Sequence, residues 1–300
     1  MNYSQWAQDD DGSFVPVADT VARIAPGYYD TVMDGSGRLH FMSIRARKDD
    51  LLEFPDSASM QVIEGIRDFW DQEEMFKRYG LPYKRGILLY GPPGSGKTCT
   101  MQIVARDVVA KGGVVVTFDP RWFLLSYRAF RDIQPETPMV VLMEDCEDYL
   151  TGGYASMVLN LLDGGEQLHR VVFLASTNYP ERLEGRVINR PSRFDLRIKV
   201  PTPSDAARRR YLESLLKDED SIDIDAYVRD TKGLSLAHVK ELFVACHILG
   251  SDYKEAASRL AKMAVEKVSS DQDDYDDEGD YGMQDLAAPG LPAIKVGEYL

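Results

Sequence analysis

The feature that most constrains this chain is one octapeptide, Gly91-Pro92-Pro93-Gly94-Ser95-Gly96-Lys97-Thr98. It fits G-x-x-x-x-G-K-[ST] in full. It follows an apolar run, Ile87-Leu88-Leu89-Tyr90, and precedes a helical pattern that continues to Ala110, the context that gives the motif its physical meaning. Glycines let a backbone curl closely with its N–H groups pointing inward, and the amino terminus of the following helix adds partial positive charge. The complementary ligand is a phosphate chain. Gly91 to Thr98, with Cys99 just inside the helix, are therefore the candidate nucleotide-binding residues. Lys97 is suited to neutralising the β and γ phosphates, and the Thr98 hydroxyl to ligating Mg²⁺.

A second chemical signal lies downstream. Val140-Val141-Leu142-Met143 reads as a buried strand, and it ends in Glu144-Asp145. One carboxylate at such a strand tip can hold Mg²⁺ or its waters, while a second can polarise an attacking water. Two acids that merely open a solvated loop are the bland alternative, and the glycine loop upstream argues against it.

Around these motifs, short apolar strands alternate with helical patterns. Strands are expected at 86–90, 114–118, 139–143, 171–176 and 196–200, with a helix at 155–162, which points to a parallel sheet with helices on its faces. One helix is expected from 57 to about 78, where Met60, Ile63, Ile66, Phe69, Trp70 and Phe76 recur at helical spacing before Gly80 and Pro82. Further upstream, 28–32 and 38–45 read as a hairpin around Asp34-Gly35-Ser36-Gly37, either a separate unit or extra strands on the main sheet. After Pro201 and Pro203 the patterns are helical: 205–217, 224–231, 235–249 and 253–268.

Composition narrows the function classes. The formal charge of −14 is partly local: residues 271–300 carry nine acids and one base, net −8, which leaves −6 for the rest. No basic face is evident to attract nucleic acid through bulk charge. The cysteines, Cys99, Cys146 and Cys246, are scattered and read as reduced thiols of a cytoplasmic protein. No secretory signal is seen, and no apolar run approaches the roughly 20 residues that span a bilayer. The four histidines have no metal-ligand spacing, so Mg²⁺ is the only metal expected. Arg208-Arg209-Arg210 reads as a solvated helix face, and Trp122, Phe123 and Leu125 as core.

Taken together, these residues resemble the AAA+ superfamily of P-loop ATPases over about 56–268. The loop has the usual form of that family, and the approach from Phe76 to Gly86 is similar too. Ala175-Ser176-Thr177-Asn178 resembles the sensor strand, which implies that Asn178 helps position the hydrolytic water. Arg190-Pro191-Ser192-Arg193-Phe194-Asp195 is close to the family's R-P-G-R-F-D, which implies that Arg190 and Arg193 are arginine fingers reaching a neighbouring subunit. Gly233 to Ala237 falls where the helical lid touches adenine, which implies a binding role for Ala237. Two departures stand out. The strand ends Glu144-Asp145 where D-E is usual, and only 24 residues separate Asp119 from Glu144, too few for an evident pore loop. Both features resemble the subgroup containing the mitochondrial translocator of the Rieske iron–sulfur protein, although its membrane anchor has no counterpart here.

The chain is thus expected to be α/β: a P-loop NTPase parallel sheet domain over 56–200, a carboxy-terminal helical lid over 201–268, a small β-containing amino-terminal extension over 1–55 and a disordered acidic tail over 269–300. The expected function is Mg²⁺-dependent ATP hydrolysis by Glu144, Asp145, Asn178, Arg190 and Arg193, with Thr98 and Glu144 as metal ligands. The resemblance implies a hexameric or heptameric ring that remodels or moves a macromolecular partner, more readily a protein than a nucleic acid, and no membrane. A slow ATP-dependent switch or scaffold and a nucleic-acid-associated ATPase are the alternatives. A small-molecule kinase would have no use for the sensor and finger segments.

Overall fold

The computed structural model describes residues 5–8, 14–17, 20–44, 58–164, 168–183, 192–216 and 222–265. The 269–300 tail and Arg190 lie outside them. The order of elements is β1 (Gln5–Gln8), β2 (Phe14–Val17), β3 (Gly27–Met33), β4 (Leu39–Ile44), α1 (Ala58–Trp70), α2 (Glu73–Tyr79), β5 (Lys84–Tyr90), α3 (Lys97–Ala110), β6 (Val114–Thr117) and α4 (Phe123–Ile133). Then follow β7 (Met139–Met143), α5 (Glu147–Thr151), α6 (Ala155–Asp163), β8 (Val171–Thr177), β9 (Leu196–Lys199), α7 (Asp205–Leu215), α8 (Ile224–Asp230), α9 (Leu236–Phe243) and α10 (Tyr253–Val265).

Seven strands form one sheet in the order β4-β3-β6-β7-β8-β5-β9. All neighbours are parallel except β3 and β4. Every residue of β7 and β8 is buried, as expected of strands covered on both faces. Alternation divides them: Val141, Met143 and Phe173 face one core with α4 and α6, while Val140, Leu142, Val172 and Leu174 face another with α1 and α3.

The expected hairpin strands occur as β3 and β4. The Asp34 carboxylate builds the turn by accepting from the N–H groups of Ser36 (2.8 Å) and Arg38 (2.9 Å). Because β3 pairs in parallel with β6, this hairpin widens the main sheet and is not a separate unit. Ahead of it β1 and β2 form an antiparallel ribbon that the sequence reading did not anticipate.

Three other expectations need correction. The single helix over 57–78 is two, broken at Asp71 and Gln72. The buried Tyr83 hydroxyl directs its hydrogen bond to the Phe69 and Trp70 carbonyls (3.0 and 2.9 Å), so the end of α1 is satisfied without another helical turn. Of Trp122, Phe123 and Leu125, expected in the core, only Phe123 is there. Trp122 is half-buried and Leu125 is 50% exposed, because the buried stripe of that helix runs Phe123, Ser126, Tyr127, Phe130. Arg208 is not solvated but 2% exposed, donating to the carbonyls of Pro203 (2.6 Å) and Val228 (3.2 Å) and to Asp205.

Beyond β9 the four helices α7 to α10 enclose their own core, with Leu212, Val239, Leu242 and Leu260 fully buried. Ser204, Asp223 and Ser235 cap α7, α8 and α9 through their side-chain oxygens. Among the described residues no helix is long and apolar enough to cross a membrane.

At the sheet edge opposite the glycine loop, Glu73 is buried against Arg170, Lys77 and His169. The Arg170 guanidinium holds its carboxyl down at about 2. A depressed carboxyl contributes stability above its unfolded value near 4.5, and that contribution disappears as pH falls toward about 2. Unfolding midpoints measured from pH 6 down to 2 should therefore fall more steeply for the wild type than for Glu73→Gln. In a second test, Phe123→Ala should cost about 3–5 kcal/mol in urea unfolding. Leu125→Ala on the same helix should stay within about 0.5 kcal/mol of wild type.

Candidate nucleotide site

The glycine loop leaves β5 at the carboxyl ends of the parallel strands. Gly91 is pressed so closely against the returning chain that a Cβ would stand 2.1 Å from the Val200 carbonyl oxygen. Gly94 (φ +69°) and Gly96 (φ +100°) take the left-handed conformation that lets the loop close round a ligand. The helix begins at Lys97, so the N–H groups of its first turn have no partner within the helix and face the loop.

Lys97 is 5% exposed. Its ammonium donates to the carbonyls of Gly91 (2.8 Å) and Pro92 (2.9 Å). Burial pulls its pKa below the usual lysine value, against the opposing influence of Asp145 and Glu147. The Thr98 hydroxyl donates to Glu144 at 3.2 Å, which brings together the two oxygens assigned to a metal. Hard oxygen donors beside a phosphate cradle suit Mg²⁺.

Asp145 has φ +46°, one of two non-glycine residues in the left-handed region among those described. Its carboxylate accepts a hydrogen bond of 2.9 Å from the Asn178 side-chain amide. The turn is secured from below by the Cys146 N–H, which donates to the Ser176 carbonyl (2.8 Å). Glu144, Asp145, Asn178, Lys97 and Thr98 therefore converge on one mouth of the sheet, as the sequence reading required.

An apolar cleft adjoins the loop. It is lined by Ala58, Gly96, Cys99, Ile103, Pro203 and Leu236, among others. Cys99 thus forms part of a wall. Ala237, in the first turn of α9, lies beside the loop, with its Cβ 4.0 Å from where a Gly94 Cβ would stand.

Two nearby residues escaped the sequence reading. Glu147 is 6% exposed and close enough to influence Lys97; the run Glu144-Asp145-Cys146-Glu147-Asp148 hid it among other acids. Ser235 lies so near Gly94 that an added Cβ would meet its Oγ at 2.6 Å, and His238 Nδ1 in turn lies 2.7 Å from that Oγ. Ser235 lay inside the Gly233–Ala237 segment placed at the adenine, with no role of its own. Of the proposed fingers, Arg190 lies outside the described residues. Arg193 sits away from the cleft, beside Gly86, and is 5% exposed.

Comparison with known proteins agrees with this geometry. Residues 87–202 match the family described as ATPase family associated with various cellular activities (AAA). The chain is 22% identical over 279 residues to the 26S proteasome regulatory subunit S10B homolog B of Arabidopsis thaliana, covering 82% of this chain and 68% of that protein. It is 26% identical over 240 residues to the proteasome-activating nucleotidase 2 of Haloferax volcanii, covering 69% and 58% respectively. It is 30% identical over 214 residues to the ATP-dependent zinc metalloprotease FtsH of Acidothermus cellulolyticus, covering 62% of this chain and 31% of that one. A glycine loop, an acidic strand end and an asparagine strand end are thus gathered at one mouth of a parallel sheet, within a segment, residues 87–202, that matches the AAA ATPase family.

Proposed function

We propose that this chain is a Mg²⁺-dependent ATPase that assembles into a ring and uses hydrolysis to remodel or move a protein partner. The observation that carries the proposal is the pairing of two contacts across the phosphate loop, Thr98 with Glu144 and Asn178 with Asp145. Mg²⁺ held by Thr98 and Glu144 would offset charge on the phosphates. Lys97 would move its ammonium from the loop carbonyls to the β and γ phosphates. Asp145, aimed by Asn178, would accept a proton from the attacking water. Gly91 to Cys99 would cradle the phosphates and flank the base, and residues 201–268, including Ala237, would act as a lid.

Assembly and partner class rest on resemblance. The names of two relatives refer to the proteasome, which supports a protein partner, and Arg190 to Asp195 resembles the family's arginine-finger segment, which supports assembly. A ring of six or seven copies fits that segment. Cys99, Cys146 and Cys246 are thiols outside any disulfide, which accords with a cytoplasmic site of action.

Steady-state hydrolysis measured against protein concentration tests this function. Specific activity should rise cooperatively with concentration and disappear with EDTA. Asp145→Asn should lower kcat by about 10² or more while ATP still binds, since it removes the proton acceptor but keeps the side chain's shape. Constant activity down to dilute monomer would refute the ring.

A slow switch is the second reading, favoured by the short Asp145 side chain and its engagement with Asn178. Turnover far below the ~10 s⁻¹ typical of enzymes at every concentration would select it.

A further inference from the structure

The segment from Ser192 to Asp195 is fastened to the sheet by a compact charged knot. The Arg193 guanidinium grips Asp163 in bidentate fashion, Nε to Oδ1 at 2.8 Å and Nη2 to Oδ2 at 2.5 Å. The Ser192 hydroxyl donates to the same carboxylate at 3.1 Å. From the first residue of β5, Lys84 donates to the Ser192 carbonyl (3.0 Å) and to the Leu162 carbonyl at the end of α6. Asp195 accepts from the Gly86 N–H at 2.8 Å. Gly86 has no room for a side chain, since its Cβ would lie 1.9 Å from the Arg193 carbonyl oxygen.

This placement bears on what Arg193 can do. It lies beside Gly86, five residues before Gly91, and a strand of that length spans roughly 16 Å. No side chain bridges that distance to its own phosphate loop. Nor is the guanidinium turned outward: the side chain is only 6% exposed, whereas Asp163 is 25% exposed. A planar fork locked on a carboxylate in a water-poor setting is a strong and geometrically specific contact.

We propose that Arg193 is a positioning residue and not a trans-acting finger: with Asp163 it pins the finger-bearing segment to the end of α6 and to the first turn of β5. The inference rests on the ATPase function proposed above and divides the two arginines between different tasks. Asp163 closes α6, the second helix after the Glu144–Asp145 turn, and Lys84 opens the strand that delivers the phosphate loop. The pin therefore sets where the segment stands relative to both halves of the site. Misplacement of a catalytic segment by about 1 Å can cost on the order of 10²-fold in rate.

The test compares Asp163→Asn, Arg193→Ala, Arg193→Lys and the double variant Asp163→Asn/Arg193→Ala, reading kcat, ATP affinity and the thermal midpoint. A pin predicts that Asp163→Asn and Arg193→Ala each lower kcat about tenfold or more with ATP affinity within about threefold of wild type. The double variant should be no worse than the worse single, and Arg193→Lys should recover part of the loss. If Asp163→Asn keeps or raises wild-type kcat while Arg193→Ala abolishes it, Arg193 acts elsewhere and the proposal falls. If the wild type itself hydrolyses no ATP, the ATPase function fails on its own. The pin is then judged by the thermal midpoints, where independent, additive losses would overturn it and non-additive losses would support it.

Discussion

Strand β5 is the constraint on which the rest depends. It lies between β8 and β9, and at two places along it the returning chain comes closer than any side chain allows. A Cβ on Gly86 would lie 1.9 Å from the Arg193 carbonyl oxygen, and one on Gly91 would lie 2.1 Å from that of Val200. Only glycine at both positions lets β9 pair in register over Ile87 to Tyr90. That pairing delivers the chain to Pro201, from which the four carboxy-terminal helices follow. A single backbone approach therefore fixes both the start of the phosphate loop and the root of the helical region that faces it.

Much of this was legible because it is local. The buried strands are short apolar runs with clear boundaries, and the loop Gly91 to Thr98 carries its own context. The acid pair at Glu144 and Asp145 sits at the end of a strand found where it was expected. What escaped depends on contacts between distant segments. Helix α4 was hidden because the consecutive apolar residues Trp122 to Leu125 obscure its helical period, and because Ser126 belongs to its buried face. Arg208 looked like one of three solvated arginines. The carbonyls of neighbouring Pro203 and of Val228, twenty residues on, draw it inside, and no reading of periodicity reports where carbonyls need donors. Ser235 reaches the site across space in the same way, whereas Glu147 was hidden by the acids beside it.

The inverted acidic pair has a physical explanation in the backbone. Asp145 stands at φ +46°, a conformation that costs an ordinary L-residue roughly 1–2 kcal/mol and that aspartate and asparagine tolerate best. A carboxylate is required by the chemistry proposed for that position, and a short polar side chain is required by the turn. Among acids, aspartate meets both conditions. The loss of one methylene of reach is then part of a left-handed turn that re-aims the carboxylate, with Asn178 fixing its direction at 2.9 Å.

Lys97, Thr98, Glu144, Asp145 and Asn178 are all already hydrogen-bonded within the chain. Lys97 holds the Gly91 and Pro92 carbonyls, Thr98 holds Glu144, and Asn178 holds Asp145. Nucleotide binding must therefore exchange bonds instead of adding them, and exchanged hydrogen bonds contribute little net free energy. Charge supplies the driving force. The Lys97 ammonium is buried, and burial depresses its pKa, the mark of a cation short of solvation. Phosphate oxygens would give it the counter-charge that two neutral carbonyls cannot. The same exchange would release those carbonyls, so the loop's conformation and its ligand become mutually dependent. That dependence can convert the presence of ATP into a change of shape at Gly94, against which Ser235, the cap of α9, is packed.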